Sequence, residues 1–373
     1  MELELTDSQE LFRAETARFI GRFPPSVLRA SFEGNGELPS GYLHDAAELG
    51  WFAPLIPEAC GGGSVSGQGV QELAIIAEER GRQLQPGPFA SINVVALALA
   101  SQGTDARWSQ LLTHIASAET IATWVPRATS GAAFSDNSLH YQRDEDSFRL
   151  FGHSNLVQYG GHADYLLVTA TGSEGLTQFL LESGAPGIAI ENLIGHDISQ
   201  QYSRIIFNDV RASSDELVGF VGEADLSAEE QLQLALVLTS AESVGAMDEL
   251  FELTRQHALD RVAFGRPIGS FQAVKHQLAD MSLSIEAAKS ITVAATRAVQ
   301  TKRRDAGEIA SIAKAWVSDV SIEVAQGCFQ VFGGIGFTWE HDLHLFLRRL
   351  TMNSLLFGDA DWHRERICQL HGL

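Results

Sequence analysis

The chain has 373 residues, of which 45% are hydrophobic and 20% are charged, and this composition predicts a soluble globular protein of two or three domains. The formal net charge of −21 argues against nucleic acid or an anionic membrane as a partner, because both would repel the chain. The cysteines, Cys60, Cys328 and Cys368, are too scattered for a disulfide framework or a zinc site, so we expect a reducing compartment and no bound metal.

The N-terminal third of the chain has helical periodicity. Its acidic start lacks a basic segment followed by an apolar block, and the chain has no uninterrupted apolar run of about 18 residues, so we predict a cytoplasmic protein. Thr6 is a predicted helix N-cap, with Gln9 in the capping-box position. We predict an N-terminal α-helical domain over residues 1–115. Further helical segments within it are 43–56, 71–82 and 91–100.

The middle of the chain changes to short runs rich in β-branched and aromatic residues, separated by Gly, Asp and Ser. This pattern predicts a small β-barrel-like domain over residues 116–222. The predicted strands are 148–151, 165–169, 178–181, 187–190 and 202–210.

From Ser227 to the C-terminus the pattern is helical again. The long segments 231–260 and 272–302 are expected to pack antiparallel with two more helices, which predicts a four-helix bundle domain over residues 223–373. The predicted fold class is therefore α+β, with an N-terminal helical domain, a middle β-domain and a C-terminal four-helix bundle.

The turn between the two long helices carries the residues best suited to an anionic ligand. Gly265 and Gly269 allow a close backbone approach, and Pro267 fixes a bend. Arg261 and Arg266 bring two guanidinium groups beside exposed amides, which suits a phosphate diester. A helix-turn-helix elbow with solvated arginines explains the same residues, so local chemistry leaves both interpretations open.

Two sequence runs resemble the signatures of the acyl-CoA dehydrogenase family. The first is R-x-x-F-G-x-x-I-x-x-x-Q-x-x-x-x-x-L-A-D-M, from Arg261 to Met281, and the second is Q-V-F-G-G-I-G-F-T, from Gln330 to Thr338. Members of that family are flavoenzymes that oxidise the Cα–Cβ bond of an acyl-CoA thioester, so the resemblance implies FAD as the cofactor. The order of helices, strands and bundle is also the family's architecture.

The resemblance assigns a half-site for the adenosine-diphosphate part of FAD. In the family, these residues typically reach across to a cofactor that is held mainly by a neighbouring subunit. Arginine suits the pyrophosphate because it stays charged and can donate two hydrogen bonds at once. The corresponding residues of this chain are Arg261, Phe264, Gln272, Gln330, Gly333 and Gly334.

The isoalloxazine half departs from the family pattern. The family's W-[IS]-[TS] strand aligns with residues 152–160, where Leu156 replaces the tryptophan and Gln158 replaces the hydroxyl residue. The preceding flavin strand, at residues 123–131, is shortened and contains Pro126, whose backbone nitrogen cannot donate a hydrogen bond. We therefore expect the chain's own flavin pocket to be impaired.

The catalytic base is absent from both positions that the family uses. Most members carry it as a glutamate in a turn that corresponds to Phe357, and a minority carry it on the long helix at the position of Ala235. The CoA-contacting Asp and Arg of that helix correspond to Gln233 and Leu236. We expect no catalytic residue in this chain. Glu242, on nearly the same helix face as Ala235, is an alternative base or a structural hydrogen-bond partner.

Four more polar residues near these positions have structural interpretations. Asp359 and Asp361 follow the lost base closely, and we interpret them as turn-forming aspartates. His341 and His344 have no apparent third ligand, so a zinc site is not predicted.

The losses are selective, because the residues of the chain's own active site are replaced while those that reach toward a neighbour's FAD are retained. This pattern resembles the non-catalytic partner subunit of heterotetrameric (α2β2) acyl-CoA dehydrogenases of steroid side-chain degradation. The resemblance implies a homologous catalytic subunit as partner, an acyl-CoA bound mainly by that subunit, and an electron-transfer flavoprotein as acceptor. The alternatives are an independent homotetrameric dehydrogenase using Glu242, and a bundle that binds a CoA ester or a partner without redox chemistry.

Overall fold

A computed structural model of the chain describes residues 5–34, 37–102, 106–126 and 138–373. The described chain runs through helices, then a sheet, then a helical bundle, which confirms the predicted α+β architecture. The predicted domain limits near residues 115 and 222 lie at the end of the first helical part and between the sheet and the long helix that follows it.

The N-terminal part begins with the predicted capping box. Oγ1 of Thr6 accepts a hydrogen bond from the amide of Gln9 at 3.3 Å, and Oε1 of Gln9 accepts one from the amide of Thr6 at 3.1 Å. The helix predicted over 43–56 is wrong in its second half, because Gly50 adopts a φ of +83° and Pro54 follows. The helices of this part are α1 (Asp7–Ile20), α2 (Pro25–Glu33), α3 (Tyr42–Glu48), α4 (Gly69–Arg82), α5 (Phe89–Ala100) and α6 (Ala106–Ala116).

Within the described residues, the middle of the chain forms an eight-stranded sheet. The strands are β1 (Ala122–Val125), β2 (Ser138–Asp144), β3 (Ser147–Gln158), β4 (Tyr165–Gly172), β5 (Gly175–Glu182), β6 (Ile188–Leu193), β7 (Tyr202–Ser213) and β8 (Leu217–Val218). Their order is β6-β7-β3-β2-β4-β5-β8, with β1 parallel to β4. The sequence did not predict β2, because that strand contains one tyrosine and no β-branched residue.

The C-terminal bundle brings three helix ends together. The ring of His257, near the end of the first long helix, stacks on Phe332 with centroids 4.2 Å apart. Nε2 of Gln277, near the start of the second, donates to the carbonyl of Gly327 at 3.1 Å. The elements are α7 (Asp225–Asp260), a hairpin of β9 (Val262–Ala263) and β10 (Arg266–Pro267), α8 (Gln272–Gln300), α9 (Ala306–Phe332), α10 (Leu343–Leu355) and α11 (Ala360–Leu370). The end of α7, the start of α8 and the end of α9 therefore lie at one end of the bundle.

A hydrophobic core joins the N-terminal helices to the sheet and the bundle. It includes Trp51 before α4, Leu99 of α5, Leu167 of β4, Ala235 of α7 and Phe357 after α10. Burial of apolar surface from all three parts stabilises their packing against one another.

Candidate functional site

The hairpin between α7 and α8 holds the first half of the predicted cofactor site. Arg261 caps α7, and its carbonyl accepts a hydrogen bond from the amide of Ile268 at 2.8 Å. Phe264 and Gly265 both adopt positive φ angles, of 53° and 78°, in the tight turn between β9 and β10. The turn carries the ring of Phe264 outward, where it is 96% exposed and contacts Phe271 edge-on at 6.2 Å.

The end of α9 holds the second half. Gly333 ends the helix with a φ of 66° and a ψ of −147°, a conformation that is essentially restricted to glycine. Gly334 differs, because its φ is not in the left-handed region and an added Cβ would meet nothing within 4 Å. The fold of this chain therefore does not require glycine at position 334. A backbone without a side chain there leaves room for a molecule outside the chain.

The two halves form one exposed surface. We call the exposed residues within 261–275 and 330–337 the signature face. The stack of His257 on Phe332 joins the end of α7, which precedes the first segment, to the second segment. All six predicted cofactor residues are exposed on it: Arg261, Phe264, Gln272, Gln330, Gly333 and Gly334. Guanidinium donors beside bare glycine backbone suit a diphosphate, and the cofactor role of these residues stays a prediction.

The positions expected to contact the isoalloxazine ring are engaged within the chain. Oε1 of Gln158 accepts a hydrogen bond from the hydroxyl of Ser91 at 3.1 Å, and the carbonyl of Gln158 accepts one from the hydroxyl of Thr123 at 2.6 Å. Leu156 packs against the hydrophobic core. The impairment of the chain's own flavin pocket stays a prediction, which these intrachain contacts favour. Of the predicted flavin strand, residues 127–131 lie outside the described residues.

The two expected base positions are both part of the core. Phe357 is 7% exposed, and its ring packs on that of Trp124 with centroids 5.3 Å apart. Ala235 is fully buried. Neither side chain can accept a proton. The rings of Phe357 and Trp124 also make the surroundings of position 357 apolar. Asp359 accepts a hydrogen bond from the amide of Trp362 at 2.8 Å and so caps α11, in agreement with its predicted role in a turn.

The comparison with known sequences decides the family. Residues 6–119 match the family model described as acyl-CoA dehydrogenase, N-terminal domain, and residues 226–370 match the one described as acyl-CoA dehydrogenase, C-terminal domain. The chain belongs to the acyl-CoA dehydrogenase family. One relative, acyl-CoA dehydrogenase FadE34 of Mycobacterium tuberculosis, is 30% identical over 338 residues. The match covers 89% of this chain but 42% of FadE34, so the chain spans less than half of that relative.

Solved structures confirm the acyl-CoA dehydrogenase fold. The ChsE4-ChsE5 complex from Mycobacterium tuberculosis matches with a TM-score of 0.90 at 22% identity, covering 100% of this chain and 99% of the matched chain. A variant of the Tcur3481-Tcur3483 steroid ACAD matches with a TM-score of 0.87 at 27% identity, covering 98% and 97%. Members of this family bind FAD and are oxidoreductases that act on CH–CH bonds.

Glu242, the alternative base, is an ion-pair partner in this member of the family. It contacts the guanidinium of the fully buried Arg349, whose Nε donates to the buried Asp197 at 2.7 Å. Burial lowers the pKa of Arg349, but the facing carboxylates of Asp197 and Glu242 outweigh it, so that the pKa is raised overall. This arrangement supports the structural interpretation of Glu242.

A buried lysine lies beneath the turn that carries Phe357, and sequence reasoning missed it. Nζ of Lys314 donates to the hydroxyl of Ser318 at 3.0 Å and to the carbonyls of Asn353 and Ser354 at 2.9 Å. Lys314 thereby binds the last carbonyls of α10. Burial lowers its pKa to about 7. The signal in the sequence is a lone lysine within the apolar run at the start of α9.

A groove of about 1320 Å³ lies at the opposite end of the bundle from the signature face. Gln233, at a family CoA-contacting position, lines it and donates to Oε1 of Glu229 at 2.8 Å. The same oxygen accepts from Arg366 at 2.5 Å, and a Cβ on Gly307 would lie 2.6 Å from it. Leu236, at the other CoA-contacting position, is fully buried. Of the two positions, only Gln233 therefore faces open space.

The described ranges contain neither a cluster of metal-ligating side chains nor a membrane-spanning helix. There, no group of three or more His, Cys, Asp or Glu side chains could hold a metal ion. His344 instead stacks on Trp339 with centroids 4.7 Å apart, and His341 contacts Phe332 edge-on. None of the described helices has the length and apolarity that are needed to cross a bilayer.

Proposed function

We propose that this chain is a non-catalytic but required subunit of an FAD-dependent acyl-CoA dehydrogenase, in which it completes the FAD site of a homologous catalytic chain. The observation that carries the proposal is the packing of Phe357 on Trp124. That contact forms an aromatic core at the position that we assign to the family's base, and the signature face is exposed, which together support the proposal.

The proposed division of labour follows from the chemistry of the reaction. Desaturation of an acyl thioester needs a base for the α-proton, and the flavin, when bound, accepts the β-hydride. This chain contributes neither a base nor a ring pocket, because Phe357 and Ala235 lie in the core and Gln158 bonds to Ser91. The chain contributes positive charge instead, because Arg261 donates hydrogen bonds to the diphosphate of the partner's FAD.

The proposed assembly is an α2β2 heterotetramer with a catalytic homologue that binds the acyl-CoA. Similarity to the ChsE4-ChsE5 complex and to a steroid ACAD supports a steroid side-chain CoA ester as the substrate class. The proposed acceptor is an electron-transfer flavoprotein, and the proposed location is the cytoplasm.

One alternative function has an observation in its favour. The groove lined by Gln233 also carries Lys302, Arg303 and Arg304. Lys302 is paired with Glu230 at 3.1 Å and Arg303 with Asp305 at 2.5 Å, so binding of a CoA ester there without redox chemistry would depend on Arg304. An independent homotetrameric dehydrogenase is disfavoured, because the only base considered for it, Glu242, contacts Arg349.

Co-expression tests the proposal. The chain produced alone is expected to be colourless and inactive, and co-expression with a homologue that carries the glutamate base is expected to yield a yellow, active complex. The matched variants are Arg261→Gln, which should lower the FAD content of that complex at least tenfold, and Arg211→Gln, an exposed arginine on β7, which should leave it unchanged. A yellow chain that desaturates an acyl-CoA without a partner would refute the proposal.

A further inference from the structure

The signature face exposes large apolar side chains. Phe264 is 96% exposed and Phe337 is 71% exposed, and Val262 and Ile335 are exposed beside them. An apolar surface of this kind on a folded chain indicates contact with another macromolecule, because water solvates it poorly. The face is therefore suited to be covered in an assembly.

The same face carries cations without counter-charges. Arg261, Arg266 and Lys275 are exposed, and none forms an ion pair with a residue in the described ranges. Arg266 is held with its guanidinium 4.0 Å from the ring centroid of Phe271. Some other arginines of the bundle are paired, as Arg366 is with Glu229 at 2.5 Å, whereas others, such as Arg297, form no ion pair within the described ranges. In a chain with a net charge of −21, this face is a local reversal of sign.

A histidine behind the face is affected by one of these cations, Arg261. His257 stacks on Phe332, and burial lowers its pKa, which Arg261 and His341 lower further. Asp260 acts in the opposite direction but does not compensate. The local potential is therefore positive, and an anion bound at the face would raise the pKa of His257.

We propose that the signature face selects a flavin-loaded homologous chain over a second copy of this chain, because only the loaded chain brings a diphosphate that neutralises its cations. This inference rests on the function proposed above. In a pair of identical copies, the opposing flavin position offers Leu156 and the amide of Gln158, and neither is an anion. The cations would then lose their hydration without gaining a partner, which is unfavourable.

The binding of FAD by the partner and the pairing of the two chains strengthen each other. If FAD tightens the pairing of the two chains by some factor, then pairing tightens the binding of FAD by the same factor. An empty partner and a second copy would both leave Arg261 and Lys275 uncompensated. The proposed face therefore couples the loading of the partner to the assembly of the complex.

Sedimentation of the purified chain tests the selection against self-pairing. The wild type is expected to remain monomeric at concentrations where the double variant Arg261→Gln/Lys275→Gln self-associates, with an affinity at least tenfold higher. The matched control is Arg211→Gln/Arg297→Gln, which removes the same charge from two exposed arginines that also lack an ion pair within the described chain. Both double variants lose the same positive charge, so a difference between their self-association constants is due to the signature face and not to net charge. Self-association of the wild type that equals that of the double variant overturns the inference.

Inorganic pyrophosphate is a second probe of the isolated chain. It is expected to raise the pKa of His257, measured by NMR titration, in the wild type and in the Arg211→Gln/Arg297→Gln control. In Arg261→Gln/Lys275→Gln the response should require an at least tenfold higher concentration of pyrophosphate, because two of the three cations of the face are removed and only Arg266 remains. An equal response in all three proteins shows that pyrophosphate acts elsewhere and overturns the inference.

The catalytic homologue obtained by co-expression tests the selection for loaded flavin. This chain is expected to bind the FAD-loaded homologue at least tenfold more tightly than the same homologue stripped of FAD, and the difference should shrink in Arg261→Gln/Lys275→Gln. If an active complex forms but loaded and stripped homologues bind equally, the inference fails while the proposed function stands. If no homologue yields an active, flavin-bearing complex, the proposed function fails and the inference with it.

Discussion

The ring of Phe357 packs on the ring of Trp124 with centroids 5.3 Å apart and planes inclined by 38°. This contact joins the turn after α10 to the first strand of the sheet, and both residues are buried in the core that Ala235 of α7 also enters. The two positions that we predict to correspond to the base of acyl-CoA dehydrogenases thus both lie in the same hydrophobic core. Restoring a carboxylate at one of them would have to displace an aromatic contact, and this has a measurable cost.

Phe357→Glu is expected to destabilise the chain without creating a dehydrogenase. The glutamate loses the ring packing and lies in apolar surroundings, so unfolding free energy should fall by about 3 kcal/mol at neutral pH. Burial raises the pKa of such a carboxyl in the folded state, so the loss should be smaller at about pH 4, where the carboxyl of the unfolded chain is also mostly protonated. Urea unfolding of the variant and the wild type at the two pH values measures this loss of unfolding free energy. The control Phe357→Leu should lose about 1 kcal/mol at either pH. A variant as stable as the wild type that desaturates an acyl-CoA alone would contradict the assignment.

Glu242→Gln is expected to leave the turnover of the assembled complex within a few-fold of the wild type. Loss of a general base typically costs about 100-fold or more, so steady-state kinetics separates the two roles of Glu242. The ion pair with Arg349 predicts an effect on stability instead, of about 1–2 kcal/mol, because Arg349 keeps its contact with Asp197. A turnover reduced 100-fold in a complex that retains its FAD would restore Glu242 as the base.

Arg349→Leu is expected to be much more destabilising, by about 3–5 kcal/mol, because it leaves the buried Asp197 without its cation. The double variant Arg349→Leu/Asp197→Leu should recover part of that loss, and a double-mutant cycle in urea measures the coupling. Arg348→Leu is the control. Its guanidinium donates to the carbonyl of His196 at 2.9 Å, and its removal should cost about 1 kcal/mol. Additive losses in the cycle would show that Arg349 and Asp197 do not stabilise each other.

His363 predicts a loss of stability in acid. Burial lowers its pKa from the ordinary histidine value of about 6.5 to about 2, and Lys314 and Arg366 contribute to the lowering. The unfolded state therefore binds a proton that the folded state does not bind. Stability is fully present above pH 6.5 and falls below it at about 1.4 kcal/mol per pH unit. Between pH 7 and pH 5, His363 should account for a loss of about 2 kcal/mol.

Urea unfolding of His363→Gln at pH 7 and pH 5 checks this contribution. The stability lost between the two pH values should be about 2 kcal/mol smaller in the variant than in the wild type. The control is His140→Gln, an exposed histidine on β2, which should lose as much as the wild type. Equal losses in all three proteins would show that His363 is not the group that titrates.

Sequence reasoning predicted the elements whose signal is local. The capping box at Thr6, the strands rich in β-branched residues and the long helix that ends before Arg261 all follow from spacing and residue type. The strand β2 was missed because its apolar residues, Leu139 and Tyr141, are few, and its pairing with β3 supplies what propensity does not. Local signals also placed the helix over 43–56 wrongly, because Gly50 ends it early.

The sequence predicts the candidate site only at positions where the residue type by itself decides which chemistry is possible. A phenylalanine at the base position excludes proton abstraction whatever its surroundings are, whereas the contact of Phe357 with Trp124 depends on residues far apart in sequence. The role of Glu242 remained open for the same reason, because its partner Arg349 is distant along the chain. The buried Lys314 was missed because its acceptors, carbonyls at the end of α10, carry no sequence signature. Contacts between residues that are distant along the chain leave no local pattern, so a single sequence does not predict them.

Gly334→Ala separates assembly from folding. An added Cβ meets nothing within 4 Å and the φ of Gly334 is not left-handed, so the isolated chain should unfold within about 0.5 kcal/mol of the wild type. In the complex, the same methyl group would occupy space that we assign to the partner's cofactor, and FAD content should fall at least tenfold. Absorbance of the flavin per complex and urea unfolding of the chain alone are the two measurements.

Gly333→Ala is the contrasting variant, because a φ of 66° with a ψ of −147° strains any other residue, and it should cost the isolated chain about 1–3 kcal/mol. Substitution of these two neighbouring glycines is thus expected to have different effects. Gly333→Ala should destabilise the isolated chain, and Gly334→Ala should lower the FAD content of the complex. A Gly334→Ala complex that keeps its full FAD content would mean that no cofactor approaches the backbone here. The open space at position 334 would then be only a feature of the free surface.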